Sequence, residues 1–256
     1  MQTSWRVPWL WRLLLVVARA VVFLVARLHV SGDVPPGLRQ GPLILAANHV
    51  SPGDPVVMAA ACRSLGVAPR FMATGGVFRA PVIGWVMRRS GHIRVDRRTA
   101  RVAQALPDAA AALAVGSVVL VYPEGRIGLD PWMWPERGKT GVARMAFLSG
   151  ATVVPVAQWG AHEVLPYTSP KGLLGSVLRA MVRRPHVWVR FGPPVDLSGL
   201  DGSVTGHTVL ATERILQAIE ETLAPLRVHE PEMPRFVDVT RPVDMTRVRR
   251  RPVDTA

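Results

Sequence analysis

The sequence predicts an α/β fold: a mixed, largely buried sheet flanked by helices, behind an N-terminal membrane-associating helix. Three observations carry this. Short apolar runs, "PLILAA" (42–47), "SVVLVY" (117–122), "ATVVPVA" (151–157) and the alternating "HVWVRF" (186–191), are each of strand length and bounded by polar or turn residues. Helical stretches at about 55–64, 77–89, 98–115, 139–149, 171–184 and 205–224 lie between and around them, and such alternation favours a buried sheet. The first 28 residues are apolar apart from a few arginines and carry Trp5, Trp9 and Trp11 near one end.

Length and composition set the frame. A chain of 256 residues with 49% hydrophobic content can bury a full core and excludes global disorder. One cysteine, Cys62, excludes an intramolecular disulfide framework and a cysteine-rich zinc site. No metal or cofactor is expected. The net charge is +13, yet only Lys139 and Lys171 are lysines, so much of the basicity is a compositional preference for arginine. Nucleic acid is therefore not expected as a partner, because charge alone would support it.

At the N-terminus, Arg12, Arg19 and Arg27 recur at spacings of seven and eight, which keeps them near one side of a helix. Arginines on one face with apolar residues elsewhere describe a helix lying in the membrane interface, its guanidinium groups reaching head groups. A spanning helix would place Arg19 near mid-bilayer, at about 2.5–3.5 kcal/mol on insertion scales. A cleaved leader ending at "ARA" (18–20) and a buried amphipathic helix are the other readings. The domains expected are thus an anchor over 1–28, one unit over 29–226 without internal repeats, and a disordered basic tail over 227–256, where proline recurs every few residues.

The chemistry centres on "NHVSPGD" (48–54), where His49 precedes Asp54 by five positions. In a largely parallel sheet, functional loops gather beyond the carboxyl ends of the strands. The loop after "PLILAA" and the loop after "SVVLVY", which carries "PEGRIG", would meet there and bring Glu124, Gly125 and Arg126 toward the pair. A plainer reading makes Asp54 a helix N-cap with Pro55 at the first helical position. "PWMWP" (131–135) is open between a second membrane contact and core packing.

Four blocks in this order, "NHVSPGD", "GHIRVDR" (91–97), "YPEGR" (122–126) and "VVPVA" (153–157), resemble the PlsC-like glycerolipid acyltransferases, a family that includes the 1-acylglycerol-3-phosphate acyltransferases. The resemblance covers roughly residues 28 to 225. It implies transfer of an acyl group from acyl-CoA or acyl-carrier protein to a lysophospholipid hydroxyl at the cytoplasmic face of the cell membrane, against an anionic surface. His49 would be the base and Asp54 its orienting carboxylate, with histidine suited by its titration near neutrality. Arg97, Gly125 and Arg126 would lie on the acceptor side, and Glu124 is open between acceptor contact and scaffold. Apart from the resemblance, Arg137 and Lys139 in "ERGKTG" (136–141) precede a predicted helix whose N-terminus attracts phosphate, a substrate-binding position. Two positions depart from the family: Arg126 stands where threonine is usual, and Thr74 where many members have lysine. Both changes bear on the acceptor more than on the reaction. No G-x-S-x-G occurs, which disfavours a serine hydrolase.

Overall fold

The computed structural model describes residues 5–96, 104–167 and 172–249. Seven strands form one sheet: β1 (Arg27–Ser31), β2 (Leu43–Ala47), β3 (Arg70–Thr74), β4 (Ile93–Val95), β5 (Val118–Val121), β6 (Thr152–Trp159) and β7 (His186–Phe191), in the order β1-β7-β6-β2-β5-β3-β4. All neighbours are parallel except β6 and β7. The sheet is therefore mixed, as the sequence predicts.

The central strand β2 is apolar without interruption because both of its faces are covered. Leu43, Leu45 and Ala47 point to a layer made by α1 (Trp9–Val25) and α2 (Asp54–Ser64). Ile44 and Ala46 point to the opposite layer, made by α5 (Ala105–Ala114), α6 (Gly141–Ser149) and α9 (His207–Leu223). Each such fully buried Leu or Ile is worth about 1.5–3 kcal/mol. The remaining helices are α3 (Gly75–Arg79), α4 (Pro81–Arg89), α7 (Ala161–Val164) and α8 (Leu173–Arg183).

Several expectations shift. The helix expected at 77–89 is two, because Pro81 disfavours helical geometry at Ala80 and opens α4 as its first residue. The N-terminal helix stops at Val25, and Arg27 opens β1 rather than continuing the arginine face. The anchor boundary at 28 consequently falls inside a strand paired with β7. The region expected as helix from 98 is described only from residue 104.

Of the tail expected over 227–256, residues 250–256 lie outside the described residues. Residues 228–249 run as an irregular strap against the domain, its backbone fixed by hydrogen bonds such as that from Asp244 N to Leu129 O (3.0 Å). Apart from a 3-10 turn at Met245–Arg247 the strap has no regular element among the described residues, and its polar side chains find partners on the domain. No described helix is long and apolar enough to cross a membrane.

Candidate active site

Because β2 and β5 are parallel neighbours, with Ala46 beside Val121, the loops that follow them leave the same end of the sheet side by side. Asn48 fastens the first loop to β6. Its Nδ2 donates to Gln158 O (3.0 Å), while Gln158 N donates to Asn48 Oδ1 (2.8 Å) and Gln158 Nε2 to Asn48 O (2.9 Å). The chain thus reaches His49 from a rigid, buried post.

His49 Nδ1 lies 2.7 Å from Asp54 Oδ2. The same carboxylate oxygen accepts from Val50 N (2.6 Å) and Ser51 N (2.9 Å). Asp54 therefore turns back to the loop before it instead of capping the helix it opens, so the N-cap reading does not describe it. Burial raises the Asp54 pKa, and the bonds from His49, Ser51 and Val50 pull it back down. With Nδ1 committed to a carboxylate, Nε2 is the ring nitrogen able to take a proton. The Tyr122 ring stacks on the imidazole at 4.1 Å between centroids and 17° between planes, which fixes the ring's plane.

Two further contacts hold the His49 peptide itself. Its N–H donates to Glu124 Oε1 (3.0 Å), and its carbonyl accepts from Gly128 N (2.7 Å). Glu124 Oε2 in turn accepts from Glu136 N (3.1 Å). Burial, with Glu136 alongside, pushes the Glu124 carboxyl up to about 8, against the pull of these N–H donors. Gly125 adopts φ +72°, a conformation that suits glycine, and the Lys139 side chain lies along its open face.

Comparison with known proteins bears on this geometry. A family model described as Acyltransferase matches residues 27–159, just over half of the chain. The chain belongs to the acyltransferase family. Its fold resembles the crystal structure of the 1-acyl-sn-glycerophosphate (LPA) acyltransferase PlsC from Thermotoga maritima, with a TM-score of 0.60 and 22% identity over 82% of this chain and 78% of that one. An uncharacterised Mycobacterium tuberculosis protein is 27% identical over 77% of this chain and 61% of its own length. A chloroplastic 1-acyl-sn-glycerol-3-phosphate acyltransferase of Brassica napus is 29% identical over 61% of this chain and 43% of its own. The chain thus spans about three fifths of the mycobacterial relative and less than half of the plant one.

Within this acyltransferase chain the acceptor-side expectations separate. Arg126 is committed: Nε donates to Glu136 Oε2 (3.0 Å), and Nη2 donates to Glu136 Oε1 (3.0 Å) and Asp244 Oδ2 (2.7 Å). Two carboxylates thus hold its guanidinium. Lys139 N donates to Pro123 O (2.9 Å), and its exposed side chain stays beside the "YPEGR" turn. Arg97 lies outside the described residues. His92, in the second block, is a core residue: burial pushes its pKa down to about 4, and its Nδ1 accepts from Phe71 N (3.0 Å).

"PWMWP" resolves toward packing. Met133 and Trp134 are buried with Val50 and Trp159, and the Arg227 guanidinium is sandwiched between the Trp134 and Trp159 rings at 4.4 and 4.2 Å. Sequence reasoning quoted Tyr122 in the third block without giving it a role, missed Gln158 just beyond the "ATVVPVA" run, and missed the strap. The strap did carry a signal. Val-Asp-x-Thr-Arg occurs at 237–241 and again at 243–247, a short repeat in a chain read as having none. Among the described residues no cluster of His, Cys, Asp or Glu could hold a metal ion.

Proposed function

We propose that this chain transfers a fatty acyl group from a thioester, acyl-CoA or acyl-carrier protein, to the hydroxyl of a lysophospholipid, with 1-acylglycerol-3-phosphate as the first acceptor to test. The observation that carries the reading is the half-buried His49 paired with buried Asp54 at 2.7 Å and braced at both ends of its peptide. His49 Nε2 takes the acceptor's hydroxyl proton as its oxygen attacks the thioester carbonyl carbon. The carbon–sulfur bond then breaks, and the imidazolium returns the proton to the departing thiolate. Asp54 fixes the tautomer and stabilises the imidazolium, so no covalent enzyme intermediate is needed.

The test is free-thiol release from palmitoyl-CoA, or from an acyl-carrier protein, across a panel of lysolipid acceptors. Release that depends on acceptor supports the transferase. If no acceptor stimulates release from either donor, a catalytically silent, membrane-binding relative replaces it. A second acceptor class is favoured by one observation: Thr74 stands where many family members have a lysine, and Arg126, which stands where threonine is usual, is held by Glu136 and Asp244, so neither position offers a free cation to a phosphomonoester. Another lysolipid or a glycolipid would then outrun 1-acylglycerol-3-phosphate in the same panel.

The membrane reading is proposed with it. The buried stripe of α1 is Trp11, Leu15 and Val22, whereas Trp9, Val16, Phe23 and Leu24 face outward. On α8, which packs against α1, Leu174, Leu178, Met181 and Val182 are likewise exposed. A groove of about 690 Å³ between α1 and α2 adds Arg19 and Arg63, neither of which ion-pairs with a described residue. Apolar side chains with unpaired arginines fit the anionic interface of the cytoplasmic leaflet. Vesicles containing phosphatidylglycerol should therefore sediment the protein better than pure phosphatidylcholine, and Arg19→Gln with Arg63→Gln should narrow that difference several-fold. Equal binding to both vesicles would count against the arginine contact, and binding to neither would count against the membrane reading.

A further inference from the structure

We propose that residues 237–247 of the C-terminal strap are part of the catalytic apparatus, with Arg241 and Arg247 as positioning residues for His49. The His49 peptide is held by Glu124 at its N–H and by Gly128 at its carbonyl. Each of these two residues is held, through its own carbonyl, by a strap arginine. Arg247 Nη2 donates to Glu124 O (2.9 Å), and Arg241 Nε donates to Gly128 O (3.1 Å). Arg241 Nη2 also donates to Gly128 O, and its Nη1 donates to Asp130 O (3.0 Å).

The repeat explains how one short segment does this twice. In each copy the aspartate folds a turn onto its own threonine: Thr240 N donates to Asp238 Oδ1 (2.9 Å) and Thr246 N to Asp244 Oδ1 (2.9 Å). The second carboxylate oxygen then fastens the turn to the domain. Asp238 Oδ2 accepts from Tyr167 N (2.5 Å), and Asp244 Oδ2 accepts from Arg126 Nη2 (2.7 Å). The arginine that follows each turn is thereby delivered to the loop beneath it. Arg247 is further fixed by pairing with Glu136 (3.5 Å), by donating to Arg137 O, and by its carbonyl accepting from Arg137 N (2.9 Å).

The partners lie more than 100 residues away in sequence, so the strap closes the site from outside the region matched by the family model. Without it, the Glu124 and Gly128 carbonyls lose charged donors, and the two residues that set the His49 peptide lose their outer support. A base displaced by about 1 Å can lose on the order of 10²-fold in rate.

This proposal rests on the acyltransferase reading for its kinetic arm, and on hydrogen exchange for an arm independent of it. In the full chain, Arg241→Ala and Arg247→Ala should each lower kcat roughly 10- to 100-fold with the KM for the thioester unchanged. Millimolar guanidinium chloride should restore part of the loss. Arg249→Ala is the control, because Arg249 pairs with Glu213 and Glu220 on α9, away from the loops that carry His49 and Glu124. Should an alanine variant fail to fold, Arg247→Lys keeps the charge and loses the fork. Amide exchange at residues 48–50 should quicken in the strap variants and stay unchanged in the control. The proposal is overturned by unchanged exchange at 48–50, or by kcat falling equally in Arg249→Ala. Inactivity of the unaltered chain would instead sink the acyltransferase reading, and the exchange measurement would still decide the strap.

Discussion

Replacing Asp54 by asparagine should remove most of the activity while leaving the protein at least as stable at neutral pH. Oδ2 takes all three donors, from His49, Val50 and Ser51, whereas Oδ1 has no hydrogen-bond partner among the described residues. An asparagine oxygen at the Oδ2 position can keep those bonds, with its NH2 at the Oδ1 position. What disappears is the negative charge that stabilises the imidazolium formed as His49 takes the acceptor's proton. His49→Ala removes the base itself, and both variants should lose on the order of 10²–10⁴-fold in kcat. The stability signs follow from burial. Asp54 is buried and its folded pKa lies above the ordinary value, so wild-type stability falls as pH rises through the unfolded pKa. Asparagine has no such loss, and urea denaturation at pH 7 should place its midpoint at or beyond that of the wild type. A variant that keeps full turnover, or one that unfolds far earlier, would remove Asp54 from the role of orienting carboxylate.

How much of this was legible in the sequence depends on the range of the interaction. β2 and β5 were readable because parallel strands covered on both faces are uninterrupted apolar runs, and their loops met where the open-sheet rule places them. His49, Asp54 and Glu124 were readable because their blocks are compact. β1 was hidden because "RLHVS" follows a helical run directly and alternates only as a half-exposed strand next to β7. β3 and β4 are short and carry Arg70 and Arg94 among few apolar residues. The strap was hidden for a different reason. Local patterns report hydrophobic period, and the strap has none; it is held by side-chain bonds to backbone carbonyls on the far side of the chain. Arg126 shows the same limit. Its position in the third block gives no sign of its partners Glu136 and Asp244, which lie 10 and 118 residues away.

Glu124 should prove costlier to remove than its distance from the reacting atoms suggests. Both of its carboxyl oxygens accept buried backbone donors, His49 N and Glu136 N. Alanine leaves two such groups unpaired at about 1–3 kcal/mol each, and it frees the peptide that carries the base, so Glu124→Ala should lose both stability and kcat. Glutamine keeps one acceptor and separates the two effects through pH. The Glu124 pKa is raised from 4.5 to about 8, with burial the largest cause. Between those values the unfolded chain releases a proton that the folded chain retains, so wild-type stability falls as pH rises across that window and levels off above about 8. Glu124→Gln loses one hydrogen bond at every pH but lacks that fall. Its stability relative to the wild type should therefore improve steadily from pH 5 to pH 8 in urea titrations. A difference that stays flat over this range would mean that the buried carboxyl is ionised in the folded protein throughout. Glu124 would then hold the His49 peptide as a charged acceptor, with Arg247 as its counter-charge.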